Sequence, residues 1–321
     1  FADNESDVLL SFMYNKNKYK KFNKRRIKMK KTLIITLLSI LILSCKSEES
    51  QDNKITVGLS VSTLNNPFFV SLSDGAKQKA KELNINLSVV NASDDTAKQT
   101  SDIEDLISKN VQVIIVNPVD SDAVAPAVLD AINANIPVIS VDRGVNGVEV
   151  TSSIASDNVA GARLAGEYLI ELIGEKSKVA ELIGIPGATA TIDRGKGFHQ
   201  AVDGKLNIVA SQTANFNRAE GLTVMENILQ ANPDLKGVFA HNDEMALGAL
   251  EAIQSLGKNI VIIGFDATDD AVYSVKMGTM KATVAQQPEL MGAIAVETAL
   301  KIINGETVEK TIPVDITLIK E

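Results

Sequence analysis

The chain has 321 residues with a formal net charge of −8, two histidines and a single cysteine, Cys45. A lone cysteine excludes an intrachain disulfide and a metal site built from several thiolates. When residues 1–44 are set aside, 22 Lys and Arg stand against 37 Asp and Glu, a net charge of −15 that argues against a nucleic-acid partner.

Residues 29–45 have the pattern of an export signal. Met29 and two lysines precede an apolar run of 11 residues, 33–43, which is too short to span a bilayer at about 20 residues. Its ending, Ser44 and Cys45, resembles the lipobox of bacterial lipoproteins, which implies a signal peptide at 29–44 and a lipid on Cys45. An uncleaved anchor and a plain soluble export signal are the alternatives. Residues 1–28 are interpreted as an upstream extension and are assigned no fold.

Residues 45–54 are mostly polar and are predicted to form a flexible tether. From Ile55 onward, short apolar runs rich in Val and Ile alternate with longer stretches of helical period. The runs are 55–61, 85–90, 113–116, 137–141, 178–183, 208–211, 238–240 and 260–264. Continuous apolar strands separated by helices predict parallel sheets that are covered on both faces.

Two of the predicted β-α-β units carry the same polar pattern. The strands of the first unit end at Asn117 and Asp142, 25 residues apart, and those of the second end at Asn242 and Asp266, 24 residues apart. Ligands of parallel sheets bind outside the carboxyl ends of the strands. The four residues therefore predict one shared site in a cleft between two similar lobes.

The remaining segments predict how the lobes are connected. The chain is expected to cross between them near residues 156–158 and 286–288. Residues 289–304 are typical of a long amphipathic helix that returns to the first lobe, and residues 314–319 predict a last strand near the hinge. The predicted fold class is α/β, with two similar doubly wound parallel-sheet lobes joined by a three-crossing hinge. The lobes comprise residues 55–156 plus 288–314 and residues 157–287 plus 315–321.

Four segments identify a family when taken in order. They are residues 62–72 (STLNNPFFVSL), 154–158 (IASDN), 242–250 (NDEMALGAL) and 264–266 (GFD). Together they resemble the ribose-binding branch of the type I periplasmic binding proteins, and the resemblance covers residues 54–321 almost without gaps. It implies a monomeric solute-binding protein of the periplasm or cell envelope that delivers D-ribose to an ABC transporter permease.

The resemblance also implies the binding residues, and each position keeps the family's residue type. Neighbouring departures are Ile192, Asp193 and His241, which could alter the walls of the pocket. No catalytic residue, metal or cofactor is implied. The implied sugar contacts are Asn66, Phe68, Phe69, Asn117, Asp142, Arg143, Arg194, Phe216, Asn242, Phe265, Asp266 and Gln286.

The chemistry of this set fits a neutral monosaccharide. Asp and Asn accept, and Arg and Asn donate, in the plane of the hydroxyl rim of a pyranose, while Phe rings cover its C–H faces. Asp142 and Asp266 balance Arg143 and Arg194, so a charged ligand would leave one buried charge unpaired.

Other interpretations of single residues stay open. Phe68 and Phe69 could be core residues of the first helix, and Asn66 could cap that helix. The two aspartates could be caps or turn formers, and the two arginines could be solvated surface groups. His199 and His241 are interpreted as structural or solvent-facing, because they are too few and too distant in the chain to indicate a metal or a catalytic dyad.

Two other functional classes compete with a binding protein. An enzyme is disfavoured because the sequence has no nucleophile elbow, P-loop or Cys and His cluster. A sugar-responsive repressor is disfavoured because the segment before Ile55 has no room for a helix-turn-helix. Within the binding class, allose or another pentose is the alternative ligand.

Overall fold

The computed structural model describes residues 13, 16, 18–24 and 54–320. The chain divides into two compact units, residues 1–54 and 55–321. In the first unit, residues 18–24 are helical and exposed, although the sequence was assigned no fold there. The predicted signal peptide, Cys45 and the tether up to residue 53 lie outside the described residues. Within the described part, no helix combines the length and apolar character that a membrane crossing requires.

The second unit alternates strands and helices along its whole length. In chain order its elements are β1 (Thr56–Val61), α1 (Pro67–Glu82), β2 (Asn86–Asn91), α2 (Thr96–Ser108), β3 (Val113–Val116), α3 (Ala125–Asn133), β4 (Val138–Val141), β5 (Ser152–Ser156), α4 (Asn158–Ile173), β6 (Lys178–Ile183), α5 (Thr189–Val202), β7 (Asn207–Thr213), α6 (Arg218–Ala231), β8 (Gly237–Ala240), α7 (Asp243–Ser255), β9 (Val261–Asp266), α8 (Asp269–Lys276), β10 (Ala282–Ala285), α9 (Pro288–Ile303), β11 (Thr311–Val314) and β12 (Thr317–Lys320).

These strands form two six-stranded sheets. The first has the order β11-β5-β4-β3-β1-β2 and is parallel throughout. The second has the order β12-β10-β9-β8-β6-β7 and is parallel except for β12, which pairs antiparallel with β10. The predicted fold class of two α/β lobes is confirmed, with one antiparallel edge strand that the sequence did not indicate.

Each sheet is sandwiched between two apolar layers, as its continuous apolar strands predict. Along β3, Val113 and Ile115 join the core beneath α1 and α9, whereas Ile114 and Val116 face the core beneath α2 and α3. All four side chains are fully buried. Successive residues of β3 therefore contact opposite faces of the sheet.

Helices α1 and α9 pack closely because two glycines remove side chains at their contact. A Cβ atom on Gly75 would lie 2.1 Å from the carbonyl oxygen of Glu289, and one on Gly292 would lie 2.0 Å from that of Leu72. The amphipathic segment predicted at residues 289–304 is thereby attached to the first lobe, and Met291 and Ala295 are part of its core.

The chain passes between the two sheets three times, after β5, after β10 and after β11. Strands β5 and β10 were not among the runs predicted from apolar character. The single last strand predicted at residues 314–319 was wrong, because β11 ends at Val314 in the first sheet and β12 begins at Thr317 in the second. Residues 315 and 316 form the third crossing.

Candidate functional site

A small cavity lies where the strand ends of the two sheets face each other. Side chains from both lobes line it, and the free space between them is small. Nine of its ten lining residues belong to the predicted set, and Ala190 is the additional one. The nine are Asn66, Phe68, Phe69, Asp142, Arg143, Arg194, Phe216, Asn242 and Asp266.

The two aspartates hold strained backbone conformations at the ends of their strands. Asp142 follows β4 with φ of 65°, and Asp266 ends β9 with φ of 127°. Phe216, in the loop after β7, has φ of 58°. Non-glycine residues rarely adopt positive φ, and such conformations concentrate at functional sites, where the surrounding structure enforces them.

Asn66 in the first lobe and Asn242 in the second each cap a helix and also line the cavity. The Oδ1 atom of Asn66 accepts from the N–H of Phe68 at 3.0 Å, at the start of α1. That of Asn242 accepts from the N–H of Met245 at 3.0 Å, at the start of α7. The capping interpretation of Asn66 is therefore correct, and the same residue lines the cavity.

Both arginines are buried, which excludes the solvated-surface interpretation. Arg143 and Arg194 are 4% and 3% exposed. The Nε atom of Arg143 lies 3.6 Å from Oδ2 of Asp142, and Nη1 of Arg194 lies 3.6 Å from Oδ1 of Asp266. Each lobe thus contributes one carboxylate and one guanidinium to the cavity, and the four charges cancel.

Main-chain and side-chain acceptors fix the direction of each guanidinium. Arg143 donates from Nη1 to the carbonyl oxygen of Pro118 at 2.8 Å. Arg194 donates from Nε to Oδ1 of Asn158 at 2.8 Å and from Nη1 to the carbonyl oxygen of His241 at 2.5 Å. These bonds hold both groups in place before a ligand arrives.

Aromatic rings cover the guanidinium planes. The Arg143 guanidinium carbon lies 5.1 Å from the ring centres of both Phe69 and Phe216, and that of Arg194 lies 3.9 Å from the centre of Phe265. Phe68 and Phe69 meet edge to face with 5.2 Å between ring centres. Both rings also belong to the apolar core of the first lobe, so each is a core residue and a wall of the cavity at the same time.

The remaining three predicted residues do not line this cavity but contact residues that do. Asn117 donates from Nδ2 to Oδ2 of Asp142 at 3.2 Å. Gln286 donates from Nε2 to Oδ1 of Asp266 at 2.8 Å. Phe265 is fully buried in the second lobe and packs beneath Arg194.

Some buried polar atoms at the site have no hydrogen-bond partner among the described residues. They include Oδ1 of Asp142, Nε of Arg143 and Oε1 of Gln286. Buried polar atoms in proteins are almost always paired, so an acceptor and a donor left free at one cavity indicate a ligand that both donates and accepts.

A third buried carboxylate, which the sequence interpretation missed, lies behind Asp266. Asp243 accepts from the N–H of Thr268 at 2.8 Å and from Oγ1 of Thr283 at 2.7 Å. Burial raises the pKa of Asp243 to about 7, although these hydrogen bonds and Arg194 oppose the shift. Burial likewise raises the pKa of Asp266 and of Asp142, while the adjacent arginines act to lower both.

The two histidines meet at one carboxylate despite their separation in the chain. Glu181 on β6 is 1% exposed, and its Oε1 lies 2.9 Å from Nε2 of the buried His241. Its Oε2 lies 3.4 Å from Nε2 of His199, a half-exposed residue of α5. The description of His241 as structural agrees with this contact. Over residues 54–320 and the short helical part of the first unit, no His, Cys, Asp and Glu cluster is suited to a metal ion.

Comparison with known proteins places these features in context. Residues 57–307 match the family model described as periplasmic binding protein domain. The chain is 48% identical over 296 residues to the ribose import binding protein RbsB of Bacillus subtilis (strain 168), covering 89% of this chain and 97% of that protein. It is also 48% identical over 288 residues to RbsB of Escherichia coli (strain K12), with coverage of 89% and 97%.

Solved structures show the same architecture. A periplasmic solute-binding protein of an ABC transporter from Actinobacillus succinogenes 130z, with bound D-allose, is similar to this chain with a TM-score of 0.77. The two are 37% identical, and the match covers 83% of this chain and 98% of that one.

Proposed function

The chain belongs to the periplasmic binding protein family, and from that premise we propose that it captures D-ribose in the interlobe cavity and delivers it to the permease of an ABC importer. The observation that carries this proposal is the balanced set of two buried aspartates and two buried arginines around the small cavity between the lobes.

The balance of charge favours a neutral ligand. A buried ionic ligand would leave one of the four side chains without a partner, which costs several kcal/mol. A sugar hydroxyl donates to a carboxylate and accepts from a guanidinium, so one hydroxyl can serve both Oδ1 of Asp142 and Nε of Arg143, which have no hydrogen-bond partner among the described residues.

The aromatic residues suit the other surfaces of a sugar ring. Phe68 and Phe69 come from the first lobe and Phe216 from the second, and all three line the cavity. Phenyl rings bury the C–H faces of a pyranose with little loss of side-chain entropy. Asn117, Phe265 and Gln286 are proposed to act through the residues they hold, namely Asp142, Arg194 and Asp266.

Closure of the two lobes completes the site, since neither lobe alone provides both ion pairs. Periplasmic binding proteins are known for hinge closure around ligands. The three strand crossings provide the hinge, and the cavity residues are buried because the lobes meet in this structure. We expect an open form without sugar, so the radius of gyration from small-angle scattering should fall when D-ribose is added. An unchanged radius would contradict closure.

Calorimetric titration tests the ligand directly. The full chain with Cys45→Ala, which removes the proposed lipid site, is titrated with ribose, allose, arabinose, glucose and an acidic sugar. We expect the tightest binding for ribose and no binding for the acidic sugar. Preference for allose or another pentose would establish the alternative ligand, and absence of heat with all neutral sugars would contradict the proposal.

The placement in the cell is proposed from the export signal. Cys45 is proposed to carry the lipid that tethers the protein to a membrane of the cell envelope, with stable anchoring requiring two or more chains. Incorporation of labelled palmitate into the wild-type chain and not into Cys45→Ala tests this proposal. The protein is proposed to act as a monomer without cofactor, catalysis or nucleic-acid binding.

A further inference from the structure

The N-terminus of helix α5 has no cap of its own. Ala188 occupies the N-cap position and provides no side-chain hydrogen bond to the helix. Instead, the N–H of Thr189 donates at 3.2 Å to Oγ of Ser121, which follows β3 in the other lobe. Ser121 therefore accepts a hydrogen bond from a free N–H at the start of α5, across the cleft. A serine at the N-cap position of the helix would play the same role from within the lobe.

Two further hydrogen bonds join the same two segments. The N–H of Ser121 donates to the carbonyl oxygen of Gly187 at 2.9 Å, and the N–H of Gly144 donates to Oγ1 of Thr189 at 2.8 Å. Ser121 is itself fixed in the first lobe, because its carbonyl oxygen accepts from the N–H of Asn146 at 2.9 Å. We call the set Asp120, Ser121, Gly144, Gly187 and Thr189 the seam.

The seam closes only because residue 187 is a glycine. A Cβ atom at Gly187 would lie 1.6 Å from Oδ2 of Asp120 and 2.4 Å from its Cγ. The Asp120 carboxylate cannot turn away freely, since its Oδ1 accepts from the N–H of Asp122 at 2.9 Å and of Ala123 at 2.8 Å. Gly187 itself has no positive φ, so alanine there meets no backbone strain.

We propose that the seam is a latch that sets ligand affinity by stabilising the closed form, and that Gly187 is the residue that permits it. None of the five seam residues lines the sugar cavity. The three hydrogen bonds between these residues exist only when the lobes meet. They therefore stabilise the closed state and not the open one. The latch rests on the proposed function, because it deepens the account of how that site binds.

Gly187→Ala is the central variant, and the full chain with Cys45→Ala is the background. Overpacking of this size should raise the dissociation constant for D-ribose roughly 5- to 100-fold, because the closed form is penalised and the open form is not. Asp120→Ala in the same chain removes the obstructing atoms, so the double variant should recover most of the loss. Ser121→Ala should raise the constant roughly 2- to 30-fold through loss of the cap.

Gly195→Ala is the control, since it adds the same methyl group within α5, the helix that Gly187 precedes. A Cβ atom there would meet only His241 and Glu181 at 3.6 and 3.8 Å, which is ordinary contact. The dissociation constant of Gly195→Ala for D-ribose should stay within about twofold of that of the parent. Thermal unfolding of each ligand-free variant shows whether the fold persists. Equal affinity for Gly187→Ala and Gly195→Ala would overturn the latch.

Hydrogen exchange separates failure of the latch from failure of the ribose assignment. The amides of Ser121, Gly144 and Thr189 donate across the seam, so their protection reports closure in the presence or absence of any sugar. Gly187→Ala should lower their protection relative to the parent, while amides of β3 and β6 keep theirs. Unchanged protection at all three would refute the latch. Reduced protection in a chain that binds no sugar would uphold the latch and refute the ribose proposal.

Discussion

The guanidinium carbon of Arg143 lies 5.1 Å from the ring centre of Phe216, and this contact joins the two lobes directly across the cavity. Arg143 follows β4 of the first sheet, whereas Phe216 follows β7 of the second. Because Phe69 stacks on the same guanidinium from its own lobe, Arg143 is enclosed by aromatic rings contributed by both lobes. The cavity is therefore enclosed by both lobes and is incomplete in either lobe alone.

Replacement of Arg143 by alanine should abolish measurable ribose binding while the fold persists. Asp142 would remain buried without its counter-charge, and removal of one partner of a buried pair costs about 3–5 kcal/mol, a loss of at least about a hundredfold in affinity. Arg163→Ala, at an exposed pair with Glu167, is the control and should bind as the parent does. Ribose affinity retained by Arg143→Ala in calorimetry would remove this residue from the site.

Replacement of Phe216 by alanine should raise the dissociation constant for ribose at least about tenfold. The ring contacts both Arg143 and Arg194 and lines the cavity, and each cation–π contact in a desolvated site contributes about 1–2 kcal/mol. Tyr273→Ala, at a ring that is 64% exposed, is the control. If the two variants bound ribose equally well, Phe216 would have no part in the site.

The pH dependence of stability should change in Asp243→Asn. The pKa of Asp243 is raised to about 7 in the folded chain, so the folded state holds its proton more tightly than the unfolded state. The resulting stabilisation is fully present below the unfolded pKa of about 3.9 and is lost as pH rises through about 7, with a span of up to about 4 kcal/mol. Asparagine removes this titration and keeps an acceptor for Thr268.

Urea unfolding at pH 5, 7 and 8.5 measures this effect. The unfolding free energy of Asp243→Asn minus that of the parent should increase as pH rises. A difference that is constant with pH would show that Asp243 keeps an ordinary pKa when folded.

Gly75→Ala should destabilise the first lobe by about 1–3 kcal/mol. The added methyl group would overlap the backbone oxygen of Glu289, and a backbone atom cannot move away by a change of rotamer. Gly195→Ala, with ordinary contacts at 3.6 Å and beyond, should be neutral or slightly stabilising, because alanine is the better helix former. Denaturant midpoints of the two variants provide the comparison, and coincident midpoints would contradict the close approach of α1 and α9.

The fold and the cavity residues were predictable where sequence periodicity and local chemistry agree. The β-α-β repeat placed Asn242 and Asp266 at strand ends, and the structure brings them to one cavity. Strands β5 and β10 were missed because their residues include Ser, Thr and Ala, which do not form an apolar run. Strand β12 was merged with β11 because only tertiary pairing separates two short strands around residues 315 and 316.

Other site features depend on properties that no local pattern encodes. Ala190 lines the cavity with a methyl group, and Gly187 matters through the side chain it lacks. Asp243 is the first residue of α7, and only the packing of Gly264 and Thr283 around it shows that its carboxylate is buried beside Asp266. His199 and His241 converge on Glu181 because β6, α5 and β8 are neighbours in space.

A crystal structure of the full chain with Cys45→Ala, grown with D-ribose, would show whether the sugar binds in the cavity between the lobes. We expect one pyranose between the lobes, with hydroxyls on Asp142, Arg143, Arg194 and Asp266 and its ring faces against Phe69 and Phe216. A sugar bound elsewhere, or either arginine turned into solvent while ribose is present, would contradict it.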